Sequence, residues 1–191
     1  MADRERTAAA VVEETGGTFL HPYDEPMVIA GQGTIGLELL EFEPDVVVVP
    51  VGGGGLVSGI ALALREALPR ARVVAAEPLG ADDAARSVAA GHRLPQTDPR
   101  TVADGLRTGL GRHTWPVVHD VVDRVLTVDD DAIVAAMRLL WERAKLVVEP
   151  SGAVPLAVAL SPAFAAVEGQ RVALVLSGGN VDLDALPWVF G

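Results

Sequence analysis

The sequence predicts an α/β protein built on an open parallel sheet with flanking helices. Three observations carry that prediction. Strand-like and helix-like runs alternate at short intervals, the pattern of parallel strands joined by crossover helices. The run from Val46 to Val51 is apolar and β-branched without a polar interruption, as expected of a strand buried on both faces. Two such runs break into glycine turns, Gly52–Gly55 and Ser177–Asn180, and the first leads directly into an apolar helix candidate.

Taken in order, a short amphipathic helix is expected from Arg4 to Glu14, followed by a turn at Thr15-Gly16-Gly17 and a brief apolar step ending at His21-Pro22. Strands are expected at Val46–Val51, Arg72–Glu77, Arg124–Val128 and Arg171–Ser177, and helices at about Glu25–Glu41, Leu56–Leu68, Ala81–Ala90, Asp129–Lys145 and Ser151–Leu160. The helix from Asp129 has the clearest period: Ile133, Met137, Leu140, Trp141 and Ala144 fall on one face, and Asp129, Asp130 and Asp131 complement the dipole at its start. Pro155 is tolerable in the last helix if it falls in the first turn.

Bulk properties narrow the function. At 191 residues, half of them hydrophobic, the chain suffices for one sizeable core. A net charge of −11 argues against general affinity for nucleic acid or an anionic membrane. With no cysteine there is no disulfide, thiolate nucleophile or cysteine-ligated zinc. The uncharged stretch between Asp45 and Arg65 is long enough to raise a membrane span, but Pro50 and the glycine block would break it. The N-terminus mixes both charge signs and lacks a signal peptide's apolar stretch, so a cytoplasmic location is expected. The four histidines show no i, i+4 pairing for a metal.

Two constellations carry chemistry. A strand running into Gly52–Gly55 and then a helix gathers backbone N–H groups and the positive end of a helix dipole in one concavity, where missing Cβ atoms admit an anion. That predicts a phosphate site. A dinucleotide fingerprint is a near miss, with Gly53, Gly55 and Ser58 in the loop and Glu77 ending the next strand, so a nucleotide-binding domain stays open. Ser177, at the end of the last strand, would face the same crevice and offer a neutral hydrogen bond to a ring nitrogen. Glu77 and Asp83 read either as a hard-cation pair or as an acid-rich helix start.

The blocks HPYDEPMVIAGQGTIGLELL, PVGGGGLVSGIA, AAEPLGADDA, TVADG, TWPVVHDVVD, LLWERAKLVVEPSGA and VLSGGNVDL follow one another as in a known family. Their order closely resembles the pyridoxal-phosphate enzymes of fold type II (tryptophan synthase beta-like), in particular serine racemases and serine/threonine dehydratases, the threonine ammonia-lyases. The resemblance implies that Gly52, Gly53, Gly54, Gly55 and Leu56 wrap the phosphate of pyridoxal 5'-phosphate and that Ser177 meets its pyridine nitrogen. It also implies a divalent cation, Mg or Mn, on Glu77, the Ala81 carbonyl and Asp83, and a nucleotide effector near Lys145 and Asn180. The implied substrate is serine or threonine, undergoing elimination or racemisation; the implied partners include no nucleic acid and no membrane.

Departures from the family shape further expectations. Lys145, the one lysine of the chain, does not match the family's Schiff-base lysine, which lies in a segment without a counterpart here. The chain is therefore expected to be the C-terminal part only, inactive alone, with a sheet truncated at the N-terminus and no catalytic residue of its own. Residues 1–24 are expected to be a remnant of the small domain and residues 25–191 most of the large cofactor-binding domain. Assembly is expected as a homodimer or with a complementing N-terminal segment. Tyr23 stands where asparagine is usual in the racemases. The alternative is a non-catalytic α/β domain that binds a phosphorylated ligand or a nucleotide.

Overall fold

The computed structural model describes residues 2–167 and 171–188. Its centre is β1 (Val46–Pro50), which pairs in parallel with β2 (Arg72–Pro78) on one side and β4 (Val172–Leu174) on the other. β3 (Arg124–Val128) lies beyond β2, giving the order β3-β2-β1-β4. Register places Val46 opposite Arg72 and Val172, so the carboxyl ends of β1 and β4 emerge on the same edge.

The apolar run of β1 is divided between two layers by the pleat. Val46 and Val48 pack with Ile133 of α6 (Asp130–Leu139) and Val154 of α7 (Pro150–Leu160). Val47 and Val49 pack with Ile60 and Leu64 of α3 (Gly55–Ala67) and Val118 of α5 (Thr114–Asp120). Residues 46–49 are fully buried, which explains why alternation is missing from the sequence there. α1 (Ala2–Thr15) precedes the sheet, α2 (Pro26–Glu38) packs against α3, and α4 (Asp83–Ala90) follows β2.

The expected elements form with shifted ends. β4 is shorter than Arg171–Ser177 because Pro50 has no N–H to carry the ladder on beyond Val175, whose own N–H still donates to Val48 at 3.0 Å. The helix expected to reach Lys145 ends at Leu139 and continues as a π turn, Leu140–Ala144, with Lys145 at φ 60° closing it. Pro155 lies inside α7, in the second turn and not the first, and the helix runs through it. α5 was not expected from the sequence: its seven residues carry no long period, and its N-terminus is capped from a distant part of the chain. Among the described residues, no helix is long and apolar enough to cross a membrane.

Candidate functional site

Gly52–Gly55 turns off the end of β1 and opens α3, with all four residues buried. Gly54 has φ 88°, a conformation that a side chain would strain, and a Cβ there would come within 2.8 Å of Thr114 Cβ. A Cβ on Gly53 would overlap the Tyr23 ring. The turn is thus gripped between Tyr23 and Thr114. The Thr114 hydroxyl donates to the Gly53 carbonyl at 2.7 Å and accepts from the Gly111 N–H at 2.8 Å.

Thr114 is set by Asp24. Its carboxylate accepts the N–H groups of Arg112 at 2.7 Å, His113 at 2.6 Å and Thr114 at 3.3 Å, fastening the segment before α2 to the start of α5. His21 Nδ1 accepts from the Asp24 N–H at 2.9 Å, which leaves Nε2 to carry the proton of the neutral ring. Burial works to raise the Asp24 pKa, but the three backbone donors and nearby His113 outweigh it and hold the group below the usual aspartate value.

Ser177 and the glycine turn border one cavity of about 320 Å³, with Tyr23, Gln32, Leu56 and Thr108 also in its wall. The turn after β4 is held by Glu149: its N–H donates to the Gly178 carbonyl at 3.0 Å, and its Oε2 accepts from the Asn180 N–H at 2.8 Å. A third wall comes from the 104–108 loop. Gly105 N–H donates to Ser151 Oγ at 3.0 Å, while Arg107 donates to the Thr101 carbonyl and Thr101 Oγ1 donates to Asp130 Oδ1. Asp130 is therefore a loop clamp; Asp129 caps α6 by accepting from the Ala132 N–H at 2.8 Å.

Glu77, Ala81 and Asp83 form a second, separate locus at the end of β2. Glu77 is fully buried and accepts the N–H groups of Ala84 at 2.8 Å and Ala85 at 2.9 Å, the amino end of α4. Buried Asp83 accepts from Gln96 Nε2 at 3.0 Å and the Leu110 N–H at 2.9 Å, and the Ala81 residue is buried beside them. Burial pushes the Glu77 carboxyl up to about 8, with the Asp83 and Asp82 charges adding to it, and burial pushes Asp83 to about 6. Glu77 does not border the glycine cavity, so it is not in place to meet the ribose of a nucleotide held there. Among the described residues, no three histidine, cysteine or acidic side chains gather as a metal centre.

Lys145 and Asn180 are exposed and stand outside the glycine cavity; Lys145 Nζ donates to the Glu142 carbonyl at 2.8 Å. The roles of Thr114, Asp24 and Glu149 in bracing the two turns are not readable from local pattern. HPYDEP, TWP and EPSG mark where they sit, but only the folded chain joins residue 24 to 114 and residue 149 to 180.

Comparison with known proteins places these features in a lineage. The model of the family described as pyridoxal-phosphate dependent enzyme matches residues 1–178. A serine racemase of Oryza sativa subsp. indica is 51% identical over 189 residues, covering 96% of this chain and 56% of the relative. A beta-hydroxyaspartate dehydratase of Paracoccus denitrificans is 51% identical over 191 residues, covering 98% of this chain and 60% of the relative. The solved structure of maize serine racemase superposes with a TM-score of 0.92 at 50% identity, covering 95% of this chain and 57% of that one. The chain thus spans somewhat more than half the length of these proteins. Two expectations are corrected. The family match begins at residue 1 and takes in the helix and linker before the sheet, so neither "C-terminal part only" nor a sheet truncated at the N-terminus describes the chain. In the sheet β1 is paired on both edges, and helices pack on both faces.

Proposed function

The chain belongs to the pyridoxal-phosphate dependent enzyme family, and from that premise we propose that it holds the cofactor of an enzyme that dehydrates or racemises a β-hydroxy amino acid such as serine or threonine. One observation carries the reading: Gly52–Gly55 and Ser177, at the ends of two adjacent strands, border the same cavity. The fit to pyridoxal 5'-phosphate rests on a glycine turn that borders this cavity at the amino end of a 13-residue helix. When bound, the cofactor supplies an electron sink that makes the substrate Cα–H acidic.

In this reading the N–H groups of Gly52–Gly55 and Leu56 hold the phosphate. Ser177 offers the pyridine nitrogen a neutral hydrogen bond and, unlike a carboxylate, does not keep it protonated. The resulting sink is weaker, which suits loss of a β-hydroxyl or return of a proton at Cα. Tyr23 forms the cavity wall over the turn. Lys145 takes no part, being tied to the Glu142 carbonyl away from the cavity. A hydroxy amino acid is favoured as substrate because the relatives' names include serine and beta-hydroxyaspartate.

The same reading extends to a divalent cation on Glu77, the Ala81 carbonyl and Asp83. Two neighbouring buried carboxylates form a hard oxygen donor set, and a cation would relieve the cost of ionising both. Adding Mn²⁺ should raise the melting temperature of the wild type and leave that of Glu77→Gln unmoved; an equal rise in both would remove the cation from this locus.

Competition binding tests the main reading. Pyridoxal 5'-phosphate should bind the 191-residue chain and resist displacement by ATP or NAD, and borohydride reduction should leave no pyridoxyl label on Lys145. Preference for the nucleotide would favour the non-catalytic alternative, and stoichiometric labelling of Lys145 would overturn the assignment of roles.

A further inference from the structure

We infer that Thr114 is a positioning residue for the phosphate cradle, aiming the Gly54 N–H into the cavity by holding the Gly53 carbonyl away from it. The inference rests on the proposed cofactor site and deepens it. Every described peptide bond is trans, so the carbonyl of Gly53 and the N–H of Gly54 point in opposite directions. The carbonyl is committed to the Thr114 side, accepting the hydroxyl at 2.7 Å and the Gly111 N–H at 3.3 Å. Gly53 and Gly54 border the glycine cavity whereas Thr114 does not, so the opposite direction is the cavity side.

A hydroxyl suits this task because it donates and accepts at once. Thr114 Oγ1 donates to Gly53 while accepting from Gly111 at 2.8 Å, which fixes the direction of its proton. The side chain is fully buried, so water cannot substitute for it. Its backbone is fixed in turn by Asp24, which accepts the Thr114 N–H and those of the two residues before it. Without this brace, the Gly53–Gly54 peptide is free to rotate, because both flanking residues are glycines with wide conformational freedom. The cradle would then lose a donor without losing any atom that lines it.

The test is a titration of the 191-residue chain with pyridoxal 5'-phosphate, followed by the ³¹P resonance of the bound phosphate, in wild type, Thr114→Ser and Thr114→Val. Loss of one such hydrogen bond to a charged group corresponds to roughly a ten-fold weaker affinity. The valine chain should show that loss and a bound ³¹P shift displaced toward the free value, whereas serine, which keeps the hydroxyl, should stay near wild type in both. Wild-type affinity and shift in the valine chain would overturn the inference, as would a serine chain impaired as much as valine, because methyl packing would then be the role of Thr114. If circular dichroism shows the valine chain unfolded, Thr114→Cys replaces it: weakened binding supports the brace and wild-type binding overturns it. A wild type that fails to bind pyridoxal 5'-phosphate overturns the site itself, which separates failure of the site from failure of the brace.

Discussion

The two glycine turns that meet at the cavity are held in contrasting ways. Gly52–Gly55 is buried, and its grip comes from two sides, Tyr23 packing on one and Thr114 bonding on the other. Ser177–Asn180 is largely exposed, follows a strand of only three residues, and relies on the backbone and carboxylate of Glu149. The difference matches the tasks proposed for them. A cradle of several N–H groups works only if each peptide is fixed, whereas one serine hydroxyl can turn to find its acceptor.

Substitutions in the two turns should separate these roles. The largest effect is expected for Gly54→Ala, which forces a side chain into φ 88° and against Thr114. Strain of about 1–3 kcal/mol should weaken pyridoxal 5'-phosphate binding by roughly 5- to 150-fold and lower the melting temperature. Binding at the wild-type level would show that the first turn is not the rigid one. Glu149→Ala is expected to be milder. Removing the acceptor for the Asn180 N–H costs about 1 kcal/mol, a loss in affinity of several fold, with a changed absorption spectrum of the bound cofactor but an unchanged ³¹P shift. A ³¹P shift that moved as far as in Gly54→Ala would erase the distinction between the turns.

The smallest effect is expected from acid titration of Asp24. Its folded pKa is lowered, so it contributes stability that is complete above about pH 4 and is lost as pH falls through the depressed native value. Because the group is only partly buried, the contribution should be roughly 1 kcal/mol or less. Melting temperatures measured from pH 6 down to pH 2.5 should fall more steeply for the wild type than for Asp24→Asn. Parallel curves would mean that the carboxylate does not brace the first turn.

Much of the geometry around this cavity was legible from sequence because it is written in backbone. A valine run ending in Gly52–Gly55 announces a buried strand, a tight turn and a helix start, and all three occur there. Ser177 was legible for a similar reason, since the carboxyl ends of parallel strands share an edge. The braces were not. Asp24 caps a helix that begins 90 residues later, and no local pattern encodes such a pairing. Glu77 illustrates the opposite case: its spacing from the glycines suits a nucleotide ribose, yet burial and two amide donors from α4 turn it elsewhere. The expectation of a C-terminal part only rested on the missing Schiff-base lysine, whereas the family match begins at residue 1 and includes the residues before the sheet.

The most direct measurement is the amide spectrum of ¹⁵N-glycine-labelled chain titrated with pyridoxal 5'-phosphate and, separately, with ATP. The account predicts that Gly52–Gly55 and Gly178, next to Ser177, shift together with pyridoxal 5'-phosphate and stay still with ATP. Glycine signals that respond to ATP alone, or a response confined to only one of the two turns, would contradict it.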